Sequence, residues 1–245
     1  MVPFDTSTLP RLGPALTLRR PRLVSEWWST ADRNAWPAPP RGDGRPVLLV
    51  PGFLAGDQSL TRLAIWLRTG GFELARSGIR WNVNCMEPIV ESVETRLERA
   101  VSRAGRPALL VGQSRGGSIA RAIAVLRPDL VDTVVTLGSP LLDQLAIRAR
   151  TWPSVLGVGL LGTIGVPGLF SWSCFAGDCC ARSVAAALSP FPADVRFVSV
   201  YSRSDEIVRW EACLDPAAVQ VEVDVSHMGM GVSRDVWLAL ARELG

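Results

Sequence analysis

The stretch Pro107-Ala108-Leu109-Leu110-Val111-Gly112-Gln113-Ser114-Arg115-Gly116-Gly117 decides the fold. Its apolar run up to Val111 reads as a buried strand, and Ile119, Ala120, Ile123, Val125 and Leu126 then follow at helical spacing. The pattern is strand, sharp turn, helix. Glycines two before and two after Ser114 remove side chains that would collide where the chain reverses. The serine can then sit strained and exposed at the strand's carboxyl end. A glycine-rich turn with a solvated serine has the same bare pattern, so the rest of the chain must supply the other parts of a nucleophilic site.

On either side of this stretch, strands and helices alternate. Val47-Leu48-Leu49-Val50 is a short apolar strand ending in Pro51-Gly52-Phe53-Leu54. Asp57 or Ser59 is placed to cap a helix carrying Leu60, Leu63, Ala64 and Leu67, with Gly70 and Gly71 as its stop. Ile79–Cys85 reads as the next strand, and Glu91–Ala104 as an amphipathic helix stopped by Gly105. Val131–Leu137 is a continuous, largely β-branched run, as a strand covered on both faces requires. Val195–Tyr201 and Val219–Val225 resume strand alternation, and Ser233–Leu244 is a last helix. Strands alternating with helices specify an α/β fold with a doubly wound, mostly parallel sheet, whose ligands bind beyond the carboxyl ends of the strands.

Two segments stand apart from this alternation. Residues 1–45 carry many prolines and arginines together with Trp27, Trp28 and Trp36, and read as an extended arm whose tryptophans pin it to the domain or roof a pocket. Thr151–Gly177 holds no charged residue, but Pro153, Pro167 and repeated glycines break it. A membrane span there would also put parts of one sheet on opposite sides of a bilayer. It reads instead as part of an apolar cap inserted at about 141–192 into an α/β domain of residues 46–245, lying over the strand ends.

The chain has 26 basic and 23 acidic residues, a net charge of +3, and its basic residues are all arginine. No basic block lies near an aromatic cluster, so nucleic acid is not expected as a partner. The cysteines Cys85, Cys174, Cys179, Cys180 and Cys213 lack the spacing of two C-x-x-C pairs, and no metal site is expected from them. A disulfide among Cys174, Cys179 and Cys180, or to Cys213, is the reading for an oxidising compartment. No secretory leader is visible, so the expected location is cytoplasmic, or secreted if the chain is a mature form.

The chemistry is tested by one residue type. A serine hydroxyl needs a base, histidine is the usual one, and this chain has a single histidine, His227. It follows the last strand pattern, within reach of a neighbouring strand end. Asp205 follows the preceding strand and is the candidate acceptor that fixes the imidazole, with Glu206 as the nearest rival. The backbone N–H of Arg115 and that of Phe53, with Leu54 as the alternative, are the candidate donors to an oxyanion. Leu54, Leu160, Leu161, Phe170 and Met228 are candidate contacts to the substrate, within an apolar set that also includes Leu156, Ile164 and Leu169.

The chain order Ser114, Asp205, His227, the elbow Gly112–Gly116 and the Pro51-Gly52-Phe53 loop resemble the α/β-hydrolase superfamily, closest to bacterial lipases and esterases and a GPI-inositol deacylase-like group. Leu137-Gly138-Ser139-Pro140 and Asp205-x-Ile207-Val208 add to the likeness, which spans roughly Pro46 to Gly245. The resemblance implies an eight-stranded type of sheet, serine-ester chemistry without metal or cofactor, and a cap that shapes acyl specificity. It departs from many lipases in having Pro51-Gly52 where they have His-Gly. The expected activity is hydrolysis of a small-molecule or lipid ester, with transient contact to a lipid interface. The alternatives are an acyltransferase using the same three residues and a non-catalytic binding protein on the same scaffold.

Overall fold

The computed structural model describes residues 20–176 and 178–245; the first part of the N-terminal arm, residues 1–19, lies outside the described residues. Six strands form one sheet: β1 (Pro46–Val50), β2 (Glu73–Arg76), β3 (Ala108–Gln113), β4 (Val131–Leu137), β5 (Arg196–Tyr201) and β6 (Val219–Glu222). Their order is β2-β1-β3-β4-β5-β6, and every pairing is parallel. The helices are α1 (Arg20–Trp28), α2 (Thr61–Thr69), α3 (Met86–Ala104), α4 (Arg115–Leu126), α5 (Trp152–Thr163), α6 (Trp172–Ala176), α7 (Ala181–Leu188) and α8 (Arg234–Leu244).

The sheet is covered on both faces, as its nearly uninterrupted apolar strands require. Leu48, Val50, Leu110 and Val134 point into a core closed by α3, α4 and α7. Val47, Leu49, Leu109, Val111, Val135 and Val198 point into the opposite core, closed by α2 and α8. The chain leaves β1 toward the β2 edge and returns to place β3 on β1's other side, so β1 and β3 straddle the point where strand order reverses. Val50 pairs with Gly112 there, which brings the loop after β1 beside the turn after β3. In sheets of this kind that crevice is where ligands bind.

Four expectations from sequence are corrected. Ile79–Cys85 is not a strand: the Asp57 amide donates to the Ile79 carbonyl and the Asn82 amide to that of Ala55, so the segment is spent on the loop after β1. The edge strand is the more polar Glu73–Arg76, which lacks a buried apolar row to advertise it. The sheet has six strands among the described residues, not eight. The arm is not wholly extended, because it contains α1. Finally, neither Asp57 nor Ser59 caps α2, since a 3-10 turn over Asp57–Leu60 precedes it and Leu60 occupies the N-cap without a side-chain bond.

Trp36 helps fasten the arm: its ring meets Trp237 edge-on at 5.1 Å, while Trp237 stacks on Trp66. Trp27 packs instead against the Arg62 guanidinium, 3.6 Å from its centroid, and Trp28 is exposed. No helix among the described residues is long and apolar enough to cross a membrane.

Candidate active site

Ser114 stands between β3 and α4 with φ 54° and ψ −128°, a region a residue with a Cβ rarely adopts. The strain is held by its surroundings: its amide donates to the Leu137 carbonyl of β4 at 2.9 Å, and α4 begins at once. The flanking glycines are required by close packing. A Cβ on Gly112 would come within 2.4 Å of the Gly116 carbonyl oxygen, and one on Gly116 within 2.2 Å of the Val50 carbonyl oxygen. The sequence pattern and the turn therefore have one cause, the crossing of α4 over the ends of β1 and β3.

Asp205 and His227 meet beyond the ends of β5 and β6. His227 Nδ1 lies 2.6 Å from Asp205 Oδ2, with the carboxylate 1% and the histidine 4% exposed. The other carboxylate oxygen accepts from the Ile207 and Val208 amides at 2.7 and 2.8 Å. Charge on Asp205 is thus held by two backbone dipoles, and its free edge is turned toward the imidazole. Glu206, the rival acid, accepts from the His227 amide at 3.1 Å and pairs with Arg150, so it touches the histidine's backbone and not its ring.

Ser114, Asp205 and His227 all line one cavity of about 1730 Å³, together with Phe53, Leu54, Arg115, Phe170 and Met228. Leu160 and Leu161, expected against the substrate, are not part of this wall. They are 55% and 46% exposed on the outer side of α5, whose cavity-facing residues are Pro153, Ser154 and Val155. The helix is apolar all round, so sequence gave no stripe from which to choose the inward face.

The loop after β1 lies directly against the serine: a Cβ on Gly52 would be 3.1 Å from Ser114 Cβ. Phe53 forms an isolated parallel bridge with Asn82, which ties this loop to the segment after β2. The Arg115 amide opens α4, where no intrahelical acceptor exists. Phe53 follows Gly52, which packs on Ser114, and Arg115 follows Ser114 itself. Leu54, the alternative donor, takes φ 61° in the same loop.

Three contributors to this site were not singled out from sequence. The Arg115 side chain donates to the Asn82 carbonyl at 3.0 Å, to Asn82 Oδ1 at 2.5 Å and to the Asn84 carbonyl at 2.6 Å, and its burial lowers its pKa to about 10. Asn82 in turn donates through Nδ2 to the Pro51 carbonyl at 2.7 Å, tying the elbow to the loop after β1. Glu26 of α1 accepts from the Ser226 amide at 2.6 Å and from the Ser226 hydroxyl, directly before His227. A polar residue in a segment without periodicity gives no sign of such a partner; only the tryptophans around Glu26 hinted that the arm is ordered.

All five cysteines are free thiols. Cys213 is buried, which raises its pKa, and the thiol that joins Cys174, Cys179 and Cys180 is Cys85.

The chain has the α/β-hydrolase fold. It superposes on the mature form of the lipase BlEst2 of Bacillus licheniformis with a TM-score of 0.61 and 15% identity, over 85% of this chain and 93% of that one. A metagenomic carboxyl esterase, MGS0156, gives 0.59 at 15% identity over 84% and 76%, and a monoacylglycerol lipase of Paleococcus ferrophilus 0.52 at 15% over 82% and 96%. At these identities the likeness is one of fold. No protein-family model and no curated protein sequence matches the chain.

Proposed function

We propose that this chain is a serine hydrolase of carboxylic esters, acting through an acyl-enzyme on Ser114. The observation that carries the reading is the buried Asp205–His227 pair at 2.6 Å opening on the same cavity as a serine held at positive φ. In the proposed reaction His227 Nδ1–H donates to Asp205, leaving Nε2 to take the Ser114 proton as Oγ attacks the acyl carbon. The Phe53 and Arg115 amides receive the oxyanion. His227 then protonates the departing alcohol, and water, activated by the same imidazole, releases the acid and restores the serine. Leu54, Leu142, Phe170 and Met228 on the cavity wall favour an apolar acyl chain. The residues 141–192 supply much of that wall, which supports reading them as a cap on a domain of residues 46–245.

The test is a fluorophosphonate probe followed by a series of p-nitrophenyl esters of increasing chain length, with and without an acceptor alcohol. Labelling at Ser114 and release of free acid are expected, and Ser114→Ala should abolish both while leaving thermal unfolding unchanged. Failure of the folded protein to label would point to a binding protein on this scaffold. Transfer of the acyl group to the alcohol in preference to water would point to an acyltransferase.

A further inference from the structure

Four of the five cysteines converge on one spot between the start of α3 and the segment carrying α6 and α7. Cys85 Sγ lies 3.1 Å from Cys179 Sγ, which lies 3.0 Å from Cys174 Sγ, and the sulfurs of Cys85, Cys179 and Cys180 are all within 4.8 Å of one another. We propose that Cys85, Cys174, Cys179 and Cys180 form a tetrathiolate site for zinc(II).

The argument is one of geometry and surroundings. With a Zn–S bond of about 2.3 Å, a tetrahedral site spaces its sulfurs roughly 3.8 Å apart, inside the range that Cys85, Cys179 and Cys180 already span, while Cys174, beside Cys179, would shift to complete the set. An all-sulfur donor set selects zinc over hard cations. Four thiolates around one zinc leave a net double negative charge, and nearby dipoles and one cation offset part of it. Cys85 is the N-cap of the 19-residue α3, whose first-turn amides and dipole favour an anion, and Cys180 is the N-cap of α7. The Ser171 amide donates to Cys174 Sγ at 3.4 Å. The Arg115 guanidinium is bound to the carbonyl of Asn84, the residue next to Cys85. Cys180 is buried and Cys179 exposed, giving the cluster a closed floor and an entry side.

The elements that bring the thiols together are fixed independently of any metal. Glu87 of α3 accepts from the Ser183 amide and hydroxyl at 3.0 and 2.7 Å and pairs with Arg182, which clamps α7 to α3 beside the cluster. Metal binding would convert four thiols into four Zn–S bonds and release four protons to the buffer, with no change of oxidation state. Cys174 and Cys180 also line the cavity that holds Ser114, so the metal would fasten one of its walls. Because Cys85 lies far in sequence from the other three, and those three read C-x4-C-C, the spacing resembles no paired-ligand motif.

The test uses the full chain expressed in zinc-supplemented medium and purified under thiol-reducing conditions. Elemental analysis should find roughly one zinc per chain, and cobalt(II) exchange should produce sulfur-to-cobalt charge-transfer absorption with the visible bands of a tetrahedral site. Cys85→Ser and Cys179→Ser should each weaken zinc on the order of tenfold or more in competition with a chromophoric chelator, whereas Cys213→Ala should not. If a serine variant fails to fold, the cobalt spectrum of the unaltered chain still decides. A reduced, folded chain that takes up neither zinc nor cobalt would overturn the proposal, as would copper or iron in place of zinc, or disulfides among these cysteines that persist under reduction.

Discussion

Glu26 and Ser226, 200 positions apart in the chain, share two hydrogen bonds: the Glu26 carboxylate accepts from both the amide and the hydroxyl of Ser226. Arg22 steadies the carboxylate from one turn away, at 3.4 Å, and itself reaches the Asp224 carbonyl and carboxylate. The arm thus grips the loop that carries His227 on its amino-terminal side, while Gln113 Nε2 donates to the His227 carbonyl from the elbow at 3.1 Å. The backbone on both sides of the His227 ring is thereby fixed by two elements that come earlier in the chain.

Glu26→Ala should therefore lower ester turnover although Glu26 is outside the reacting group. Removing the carboxylate leaves two buried donors of Ser226 without a partner, a cost of about 1–3 kcal/mol. The loosened loop should reduce kcat by roughly 10-fold to 100-fold with a smaller change in KM. Glu26→Gln keeps one acceptor oxygen and should recover part of the loss. Steady-state kinetics and thermal unfolding of both variants check this; an alanine variant less stable but fully active would show that the arm supports only the fold.

Asp205→Asn separates charge from shape. Its retained carbonyl oxygen can still accept from the Ile207 and Val208 amides, so the loop should stay folded. The new amide group, however, would present a donor to His227 Nδ1 and favour the tautomer that cannot take the Ser114 proton. By analogy with the same change in a serine protease, kcat should fall on the order of 10⁴-fold while unfolding is little changed. Retention of near-normal turnover would move the acceptor role to Glu206, which Glu206→Gln would then reveal.

Asn82→Ala should act through the loop after β1. It removes the donor to the Pro51 carbonyl and one acceptor of the Arg115 guanidinium, both buried. The Phe53 amide would then no longer be held at a fixed distance from Ser114. A drift on the order of 1 Å costs about 100-fold in rate. Fluorophosphonate labelling should slow in parallel with ester turnover, because both pass through an oxyanion; slowed turnover with normal labelling would place Asn82 in a later step.

What the sequence made legible, and what it did not, follows from the range of the forces involved. The elbow was readable because Gly112, Ser114 and Gly116 answer a local steric demand, and β4 because Val131–Leu137 is buried on both faces. The convergence of Asp205 and His227 was anticipated from their place after successive strand patterns, since parallel order puts both loops on one edge. The polar edge strand Glu73–Arg76 was hidden because its partner on one side is missing and its side chains are half in solvent. Glu26, Asn82 and the Cys85 end of the thiol cluster were hidden for a different reason. Each takes its meaning from a residue elsewhere in the chain, and no periodicity encodes that pairing. The inward face of α5 was not readable at all, because leucines and glycines surround it evenly.

The placement of α5 yields its own prediction. Leu160→Ser and Leu161→Ser lie on the exposed side and should leave turnover of soluble short-chain esters within about twofold and stability within about 0.5 kcal/mol. Phe170→Leu should instead change the order of preference among acyl lengths. Phe170 packs against Phe53 and Phe175, with centroids 6.0 and 5.3 Å apart, on the wall shared with Ser114. Rates over an ester series measure both. Equal sensitivity at all three positions would mean that α5 turns its leucines inward when substrate binds.

The clamp between α3 and α7 should make stability depend on pH in a defined direction. Burial pushes the Glu87 carboxyl upward, but the hydrogen bonds from Ser183 and Arg182 outweigh it and hold it below the ordinary value. A carboxyl depressed in the folded state contributes its stability above the unfolded value of about 4.3, and loses it as pH falls through the lower folded value. Glu87→Gln should accordingly destabilise the protein by about 1 kcal/mol at neutral pH, the scale for a partly exposed charged hydrogen bond. The gap between the two proteins should close as the unaltered chain is itself protonated. Urea midpoints compared at about pH 7 and about pH 3.5 measure this, because linkage requires the difference to shrink only on the acid side. A gap that persists undiminished in acid would mean that the shape of the side chain, and not its charge, holds α7 against α3.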